Sequence, residues 1–255
     1  LLARENLADH KPLDKRLNKL RQRLWKIRAK KVILATGAIE RPLIFNNNDR
    51  PGVMLANSVK KYIDYYGVRC GDKNIIFTNN DSAYETAISL NKKGFNVSIV
   101  DIRNNSSSML VKNAKDAGIK IYWNHTVVNT KGYRRIKSIE IMKMSEDGTN
   151  VIGSKINLVC DNLSISGGWT PMVHLFTQSG GKLKFRDSDQ VFIPNTATSD
   201  QISIGSCNGD FELDDIIKNT ILDCKTFLSS STTDFDLVKV NCPKQKESKN
   251  IWLLP

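Results

Sequence analysis

The chain has 255 residues, 40% hydrophobic and 25% charged, which suits one large globular domain or two small ones. Its net charge of +12 does not make it a nucleic-acid binder, because Lys and Arg are spread along the chain, dense only at Lys11–Lys31 and in the tail, with no zinc-finger spacing or aromatic–glycine RNA motif. The five cysteines (Cys70, Cys160, Cys207, Cys224, Cys242) form no CxxC pair, which speaks against a disulfide framework or zinc site and for a reducing, cytoplasmic compartment; no apolar stretch spans a membrane and no signal peptide is legible.

In chain order, residues 1–23 are polar and weakly helical, with Leu13, Leu17, Leu20 and Leu24 on one face. Leu24–Ala29 alternates like a strand, and Val32–Ala35 is a buried one. Ile39–Pro51 reads as a loop, broken by Pro42 and Pro51. Leu55–Tyr66 is a helix stopped by Gly67. Asn74–Phe77 is an apolar strand. A helix capped by Asp81 or Ser82 runs from there to Lys93, and the strand Val97–Val100 ends at Asp101. Ser107–Ala117 is the next helix, and Ile119–Trp123 the next strand. This β-α-β-α-β order predicts a parallel sheet with right-handed crossovers. Thr126–Thr130, Ile136–Met144 and Val151–Val159 then alternate as an antiparallel meander, with a hairpin signal at Glu146–Thr149. Leu163–Ser166 returns through the core. Val173–Gln178 is a short helix, Gln201–Gly205 a late strand and Leu213–Phe227 a closing helix with Ile216, Ile217, Thr220, Ile221 and Cys224 inward. Residues 229–250 read as a Ser-, Thr- and Lys-rich linker, and Ile251–Pro255 as the lead-in to something further. Leu1 opens on a polar segment without an initiator Met, so an incomplete chain is expected.

Two apolar runs end in small residues, Lys31–Gly37 and Leu163–Pro171. Either alone is an ordinary buried strand. Together they bracket the βαβ block, as when one dinucleotide fold is inserted in another, and glycine there lets backbone approach a ligand. The first run places Ala35, Thr36 and Gly37 at a strand end, and the second places Gly167 and Gly168. Between Asn74 and Asp101 a nucleotide fingerprint would carry G-x-G-x-x-G. Here the turn is Thr78-Asn-Asn-Asp-Ser-Ala-Tyr84, whose side chains fill the space of a diphosphate. Asp101 still stands at the strand end where an acidic group would hold a ribose hydroxyl. Gly205-Ser-Cys-Asn-Gly209 follows the late strand. It reads either as a phosphate-facing turn that opens the closing helix or as a plain strand-to-helix connection. His174, Gln178 and Lys182 accompany Trp169 and Phe176 beyond the second strand end. That mixture is a candidate ligand or partner surface, with Lys182 for charge and His174 or Gln178 for orientation; alternatively, Trp169 and Phe176 fill the core and Lys182 is solvated. No nucleophile–His–acid set and no metal-ligand cluster is legible.

Four segments carry a family resemblance: Ala35-Thr-Gly-Ala-Ile-Glu-Arg-Pro42, Asn47-Asn-Asp-Arg-Pro-Gly-Val-Met54, Phe77-Thr-Asn-Asn-Asp-Ser-Ala-Tyr84, and the run Ser166–Lys182 that contains His-Leu-Phe-Thr-Gln-Ser-Gly-Gly-Lys. Over about residues 24–227 the chain resembles the alpha subunit of heterotetrameric sarcosine oxidase. The resemblance implies an α/β chain with two Rossmann-like (FAD/NAD(P)-binding) domains of the pyridine nucleotide-disulfide oxidoreductase type, the first incomplete. Residues 1–54 and 169–228 would form part of the first domain, 55–168 the inserted second one with its meander, and 229–255 a linker toward a further C-terminal domain. It also implies NAD on the complete chain, with FAD and FMN mainly on a partner, and beta and smaller subunits as partners, with no nucleic acid and no membrane. The complex would convert sarcosine to glycine and hydrogen peroxide and pass the one-carbon unit to tetrahydrofolate. Ala35, Thr36 and Gly37 would lie by the nucleotide, and Gly205, Asn208 and Gly209 would close over its far end. Flavoproteins of this architecture usually have Gly-Asp there; Ser206 after Gly205 favours NAD over flavin. No catalytic residue is expected in this stretch. The rivals are a subunit of a related amine, dimethylglycine, opine or proline dehydrogenase or oxidase, and a scaffold subunit with dead nucleotide sites.

Overall fold

The computed structural model describes residues 1–15, 20–228 and 248–252. The chain opens with a hairpin, β1 (Leu2–Asn6) against β2 (Gln22–Lys26), tied across by Glu5, which accepts from Arg23 and Trp25. This corrects the helical reading of residues 1–23: weak helical periodicity yields to cross-strand pairing. Leu13 lies in a single 3₁₀ turn, Leu24 is exposed, and Leu17 lies outside the described residues. Then follow β3 (Val32–Leu34), β4 (Ala38–Glu40), β5 (Val53–Leu55) and α1 (Ala56–Asp64). Next come β6 (Lys73–Thr78), α2 (Ala83–Lys92), β7 (Asn96–Asp101), α3 (Met109–Asp116) and β8 (Lys120–Trp123).

The meander is β9 (His125–Gly132), β10 (Ile136–Met144) and β11 (Val151–Val159), after which β12 (Asn162–Ser166) re-enters the core. The chain continues through β13 (Trp169–Pro171), α4 (His174–Gln178), β14 (Lys182–Arg186), β15 (Val191–Thr196), β16 (Gln201–Ser203) and α5 (Leu213–Leu228).

The main sheet is five-stranded and parallel, in the order β5-β12-β6-β7-β8. Its central strands β12, β6 and β7 are buried on both faces, and their side chains alternate. Ile76 and Ile99 join Ala56, Val59, Tyr84, Ala87, Leu90 and Val111 on the helical face. Ile75, Phe77 and Val100 join Val127, Ile139, Ile141 and Met144 on the meander face. β7 follows β6 on one side and β12 lies on the other, so the strand order reverses between β6 and β12. In open α/β sheets the crevice outside the strand ends at that reversal is where ligands bind.

Val32–Leu34 is not part of this sheet. It pairs in parallel with β16 as a separate two-stranded sheet, with Val32 opposite Gln201. Two antiparallel connections join the sheets, because β4 pairs with β13 and Arg41 N donates to Gly168 O at 2.8 Å. β4 replaces the start of the expected 39–51 loop, and the hairpin β14–β15 has no counterpart in the sequence reading. α5 turns its expected inner face toward the protein, but none of its residues is fully buried. No described helix is long and apolar enough to cross a membrane.

Candidate functional site

The reversal point is formed by the turn after β6 and the glycine pair after β12. The turn bonds to itself and to the end of β12. Asn80 N donates to Thr78 Oγ1 (3.1 Å), Ser82 N to Asn80 Oδ1 (3.0 Å), Tyr84 N to Asp81 O (3.0 Å) and Asn79 N to Ser166 O (3.4 Å). Asn80 Nδ2 also donates to Ser166 O and Oγ at 3.1 and 3.2 Å, tying the turn to β12. A dinucleotide fingerprint aims such amides at a diphosphate. Here these four already have partners, and Asn79, Asn80 and Asp81 are buried where the diphosphate would lie. A diphosphate does not fit this turn.

Asp101 sits at the end of β7, fully buried. It accepts from Tyr84 Oη (2.8 Å) and from Arg103 N, Nε and Nη2 (2.9, 3.0 and 2.7 Å). Arg103 Nη1 lies 2.8 Å from Asp81 Oδ1, an ion contact without hydrogen-bond alignment, and Ser106 Oγ donates to the same oxygen at 3.0 Å. Burial pushes the Asp101 carboxyl up from its ordinary pKa, against the pull of Arg103. Burial and the Asp101 charge push the Tyr84 hydroxyl far above its usual range. Burial disfavours the Arg103 charge, but its hydrogen bonds to Asp101 and the charges of Asp101 and Asp81 outweigh that and hold its pKa above the ordinary value. Asp101, expected to hold a ribose, is held inside the protein by Arg103 and Tyr84. Sequence spacing could place the carboxylate at the strand end, but not the arginine that captures it.

The other expected residues fall into three groups. Ala35, Thr36 and Gly37 follow β3 at the surface; Thr36 Oγ1 donates to Met172 O at 2.6 Å, and Gly37 has φ 75° with open space around it. Gly205 lies beside them, because Ile204 N donates to Leu34 O at 2.9 Å. The segment Gly205–Asn208 is a 3₁₀ turn closed by Gly209 at φ 89°, and α5 begins only at Leu213; the expectation that this run opens the closing helix is corrected. A Cβ on Gly209 would lie 2.8 Å from Ile193 and 3.0 Å from the Arg186 guanidinium, so that glycine serves close packing. The residues after β3 and the turn after β16 thus lie side by side.

Gly168, at φ 88°, is open, whereas a Cβ on Gly167 would meet Trp252 Cδ1 at 2.7 Å and the carbonyls of Arg41 and Pro42 at 3.0 Å. His174, Gln178 and Lys182 are exposed on α4 and at the start of β14. Phe176 fills the space beneath them, and Trp169 is half-buried with Nε1 donating to Ser82 Oγ at 3.1 Å. Glu40 was not singled out from the sequence. It is buried and accepts from Asn57 N at 2.8 Å, at the N-terminus of α1, and burial raises its pKa. With Ser82, Trp169 and Phe211 it lines a cavity of about 250 Å³ between the two sheets. A second cavity, about 340 Å³, lies against Arg41, Gly168, Asp210 and Trp252. No cluster of metal-binding side chains occurs among the described residues.

No family model matches the chain. It is 38% identical to "Sarcosine oxidase subunit alpha" of Corynebacterium sp. (strain P-1) over 194 residues, covering 75% of this chain and 20% of that protein. The same-named protein of Rhizobium meliloti (strain 1021) is 38% identical over 182 residues, covering 69% of this chain and 16% of that protein. The chain thus spans about a fifth of the length of the curated relatives it matches. Among solved structures, T. acidophilum thioredoxin reductase aligns with a TM-score of 0.59 at 18% identity, covering 79% of this chain and 64% of that one. A FAD-dependent pyridine nucleotide-disulphide oxidoreductase from Desulfovibrio vulgaris aligns at 0.52 and 16% identity, over 75% and 48% of the two chains. Across its matched residues the chain is similar to the sarcosine oxidase alpha subunit, and its fold is that of the pyridine nucleotide-disulfide oxidoreductases.

Proposed function

We propose that this chain is the nucleotide-domain region of a sarcosine oxidase-type alpha subunit and acts as a binding and docking scaffold within a hetero-oligomeric oxidoreductase. The observation that carries this is the 38% identity to sarcosine oxidase alpha subunits across 75% of the chain. Residues 1–54 and 169–228 belong in this reading to the first domain, 55–168 to the second and 229–255 to a linker. The separate β3–β16 and five-stranded sheets support the division. NAD belongs at the first domain, along Ala35, Thr36, Gly37, Gly205 and Asn208. FAD and FMN belong to the complex, chiefly on a beta subunit, where the flavin supplies hydride acceptance from the N-methyl amine. The complex would turn sarcosine into glycine and hydrogen peroxide and hand the one-carbon unit to tetrahydrofolate. His174, Gln178 and Lys182 face the partner or a flavin phosphate. Four unpaired cysteines among the described residues agree with a cytoplasmic location.

The test is to purify the full-length gene product with its partner subunits and assay hydrogen peroxide released from sarcosine, proline, dimethylglycine and an opine. Sarcosine-dependent peroxide, with NAD released on denaturation, is expected. Activity confined to another amine would transfer the chain to a related oxidase or dehydrogenase. Absence of NAD would leave a scaffold, a reading the filled Thr78–Tyr84 turn already favours for the second domain.

A further inference from the structure

The reversal-point crevice is not empty: residues 248–252 of the same chain lie in it. Asn79 pairs with this segment on both its backbone and its side chain. Its carbonyl accepts from Lys249 N at 3.0 Å, and its Nδ2 donates to Lys249 O at 2.8 Å. Lys249 Nζ reaches Ile102 O at 3.3 Å, just beyond β7. Ile251 packs over the meander, where a Cβ on Gly148 would be 2.8 Å from its Cδ1. Trp252 is held by three contacts. Its Nε1 donates to Gly167 O at 2.5 Å, its carbonyl accepts from Ile44 N at 2.8 Å, and the Arg41 guanidinium stands 4.1 Å above its ring. Ile251 and Trp252 both pack against the core on the meander face.

Two of these contacts use positions that a dinucleotide fold reserves for its ligand, Asn79 in the turn after β6 and Gly167 after β12. Gly167 has no side chain, which in a nucleotide site admits a phosphate or ribose; here the space admits an indole. Asn79 stands where a fingerprint glycine would be, and its amide side chain reads a peptide unit. We propose that the crevice of the second dinucleotide-like domain is a peptide-binding site, occupied in cis by Ser248–Trp252 with Trp252 as the anchor, and closed by that segment to nucleotides. The segment also bridges stretches far apart in sequence, since Arg41 and Ile44 follow β4 whereas Asn79, Ile102 and Gly167 follow strands of the main sheet. This holds whichever amine the complex oxidises.

The experiment is residue-resolved hydrogen exchange on the 255-residue chain and its Trp252→Ala variant, with the Ile76 and Ile99 amides of the central strands as controls. The Ile44 and Lys249 amides are expected to exchange at least about tenfold faster in the variant while the controls hold. An acetylated Ser-Lys-Asn-Ile-Trp amide peptide at millimolar concentration is expected to restore protection of Ile44 in the variant. Equal exchange at Ile44 and Lys249 in both proteins would overturn the proposal, as would protection in the parent chain that vanishes on dilution, which would mean a segment supplied by a second copy. Should the controls also lose protection, Lys249→Pro, which removes the amide donated to Asn79 and the Nζ contact to Ile102 but leaves the main sheet untouched, takes its place. Faster exchange at Ile44 in that variant supports the proposal, and unchanged exchange there overturns it.

Discussion

Replacing Arg103 by Met tests whether the five-stranded sheet and its helices are held by an internal ion cluster at the end of β7. Asp81 and Asp101 have no side-chain exposure and Arg103 has 7%. The guanidinium lies 2.7 Å from Asp101 Oδ2 and 2.8 Å from Asp81 Oδ1, so one cation serves two buried carboxylates. Methionine keeps most of the volume and removes the charge. Breaking a buried pair from one side costs about 3–5 kcal/mol, a large part of the roughly 5–15 kcal/mol that holds a domain folded. Urea unfolding at pH 7 is therefore expected to show a loss of about 3 kcal/mol or more.

The loss should depend on pH. Burial already raises the Asp101 pKa, and without Arg103 it rises further above the unfolded value of about 3.9. A carboxyl with a raised folded pKa takes up protons on folding, so its penalty is complete above the folded pKa and fades as pH falls toward the unfolded one. The gap between variant and parent should narrow on acidification from pH 7. Asp81→Asn and Asp101→Asn added to Arg103→Met should recover most of the loss at pH 7. A loss below about 1 kcal/mol, or one that stays constant from pH 7 to pH 4.5, would refute the view that the cluster is desolvated and mutually compensated.

Three further outcomes are expected. Glu40→Ala should destabilise by about 1 kcal/mol in urea unfolding, because the carboxylate bonds the second residue of α1, while Glu40→Gln should cost less. Since burial raises the Glu40 pKa, the parent should lose stability as pH rises through that raised value, and Glu40→Gln should flatten this slope. Gly181→Ala would set a Cβ 2.4 Å from the Phe176 ring and should lower stability by about 1–3 kcal/mol, measured by thermal unfolding. In the assembled complex, alanine at His174, Gln178 and Lys182 together should lower FMN content or partner retention without altering the melting of the chain; unchanged flavin and assembly would leave that run as a turn.

The sequence itself determined the elements whose pattern is local. Apolar runs at Asn74–Phe77 and Val97–Val100, separated by a helix-length segment and stopped by Gly94, dictate a βαβ unit, because strand burial and helix termination are decided within a few residues. The alternation of Ile136–Met144 likewise dictates a meander strand. The absence of glycine in Thr78–Tyr84 marks a crowded turn before any coordinate is known. Only the tertiary structure decided what fills the crowded space. Asp101 keeps its place at a strand end, but a buried carboxylate needs a partner, and Arg103, placed by the bend after β7, supplies it. The opening hairpin was hidden because its pairing joins residues 16 or more apart through backbone bonds that leave no periodic mark. Trp252 at Gly167 was hidden for the same reason. The two lie 85 positions apart, and only the folded chain brings an indole to a position with no side chain to exclude it.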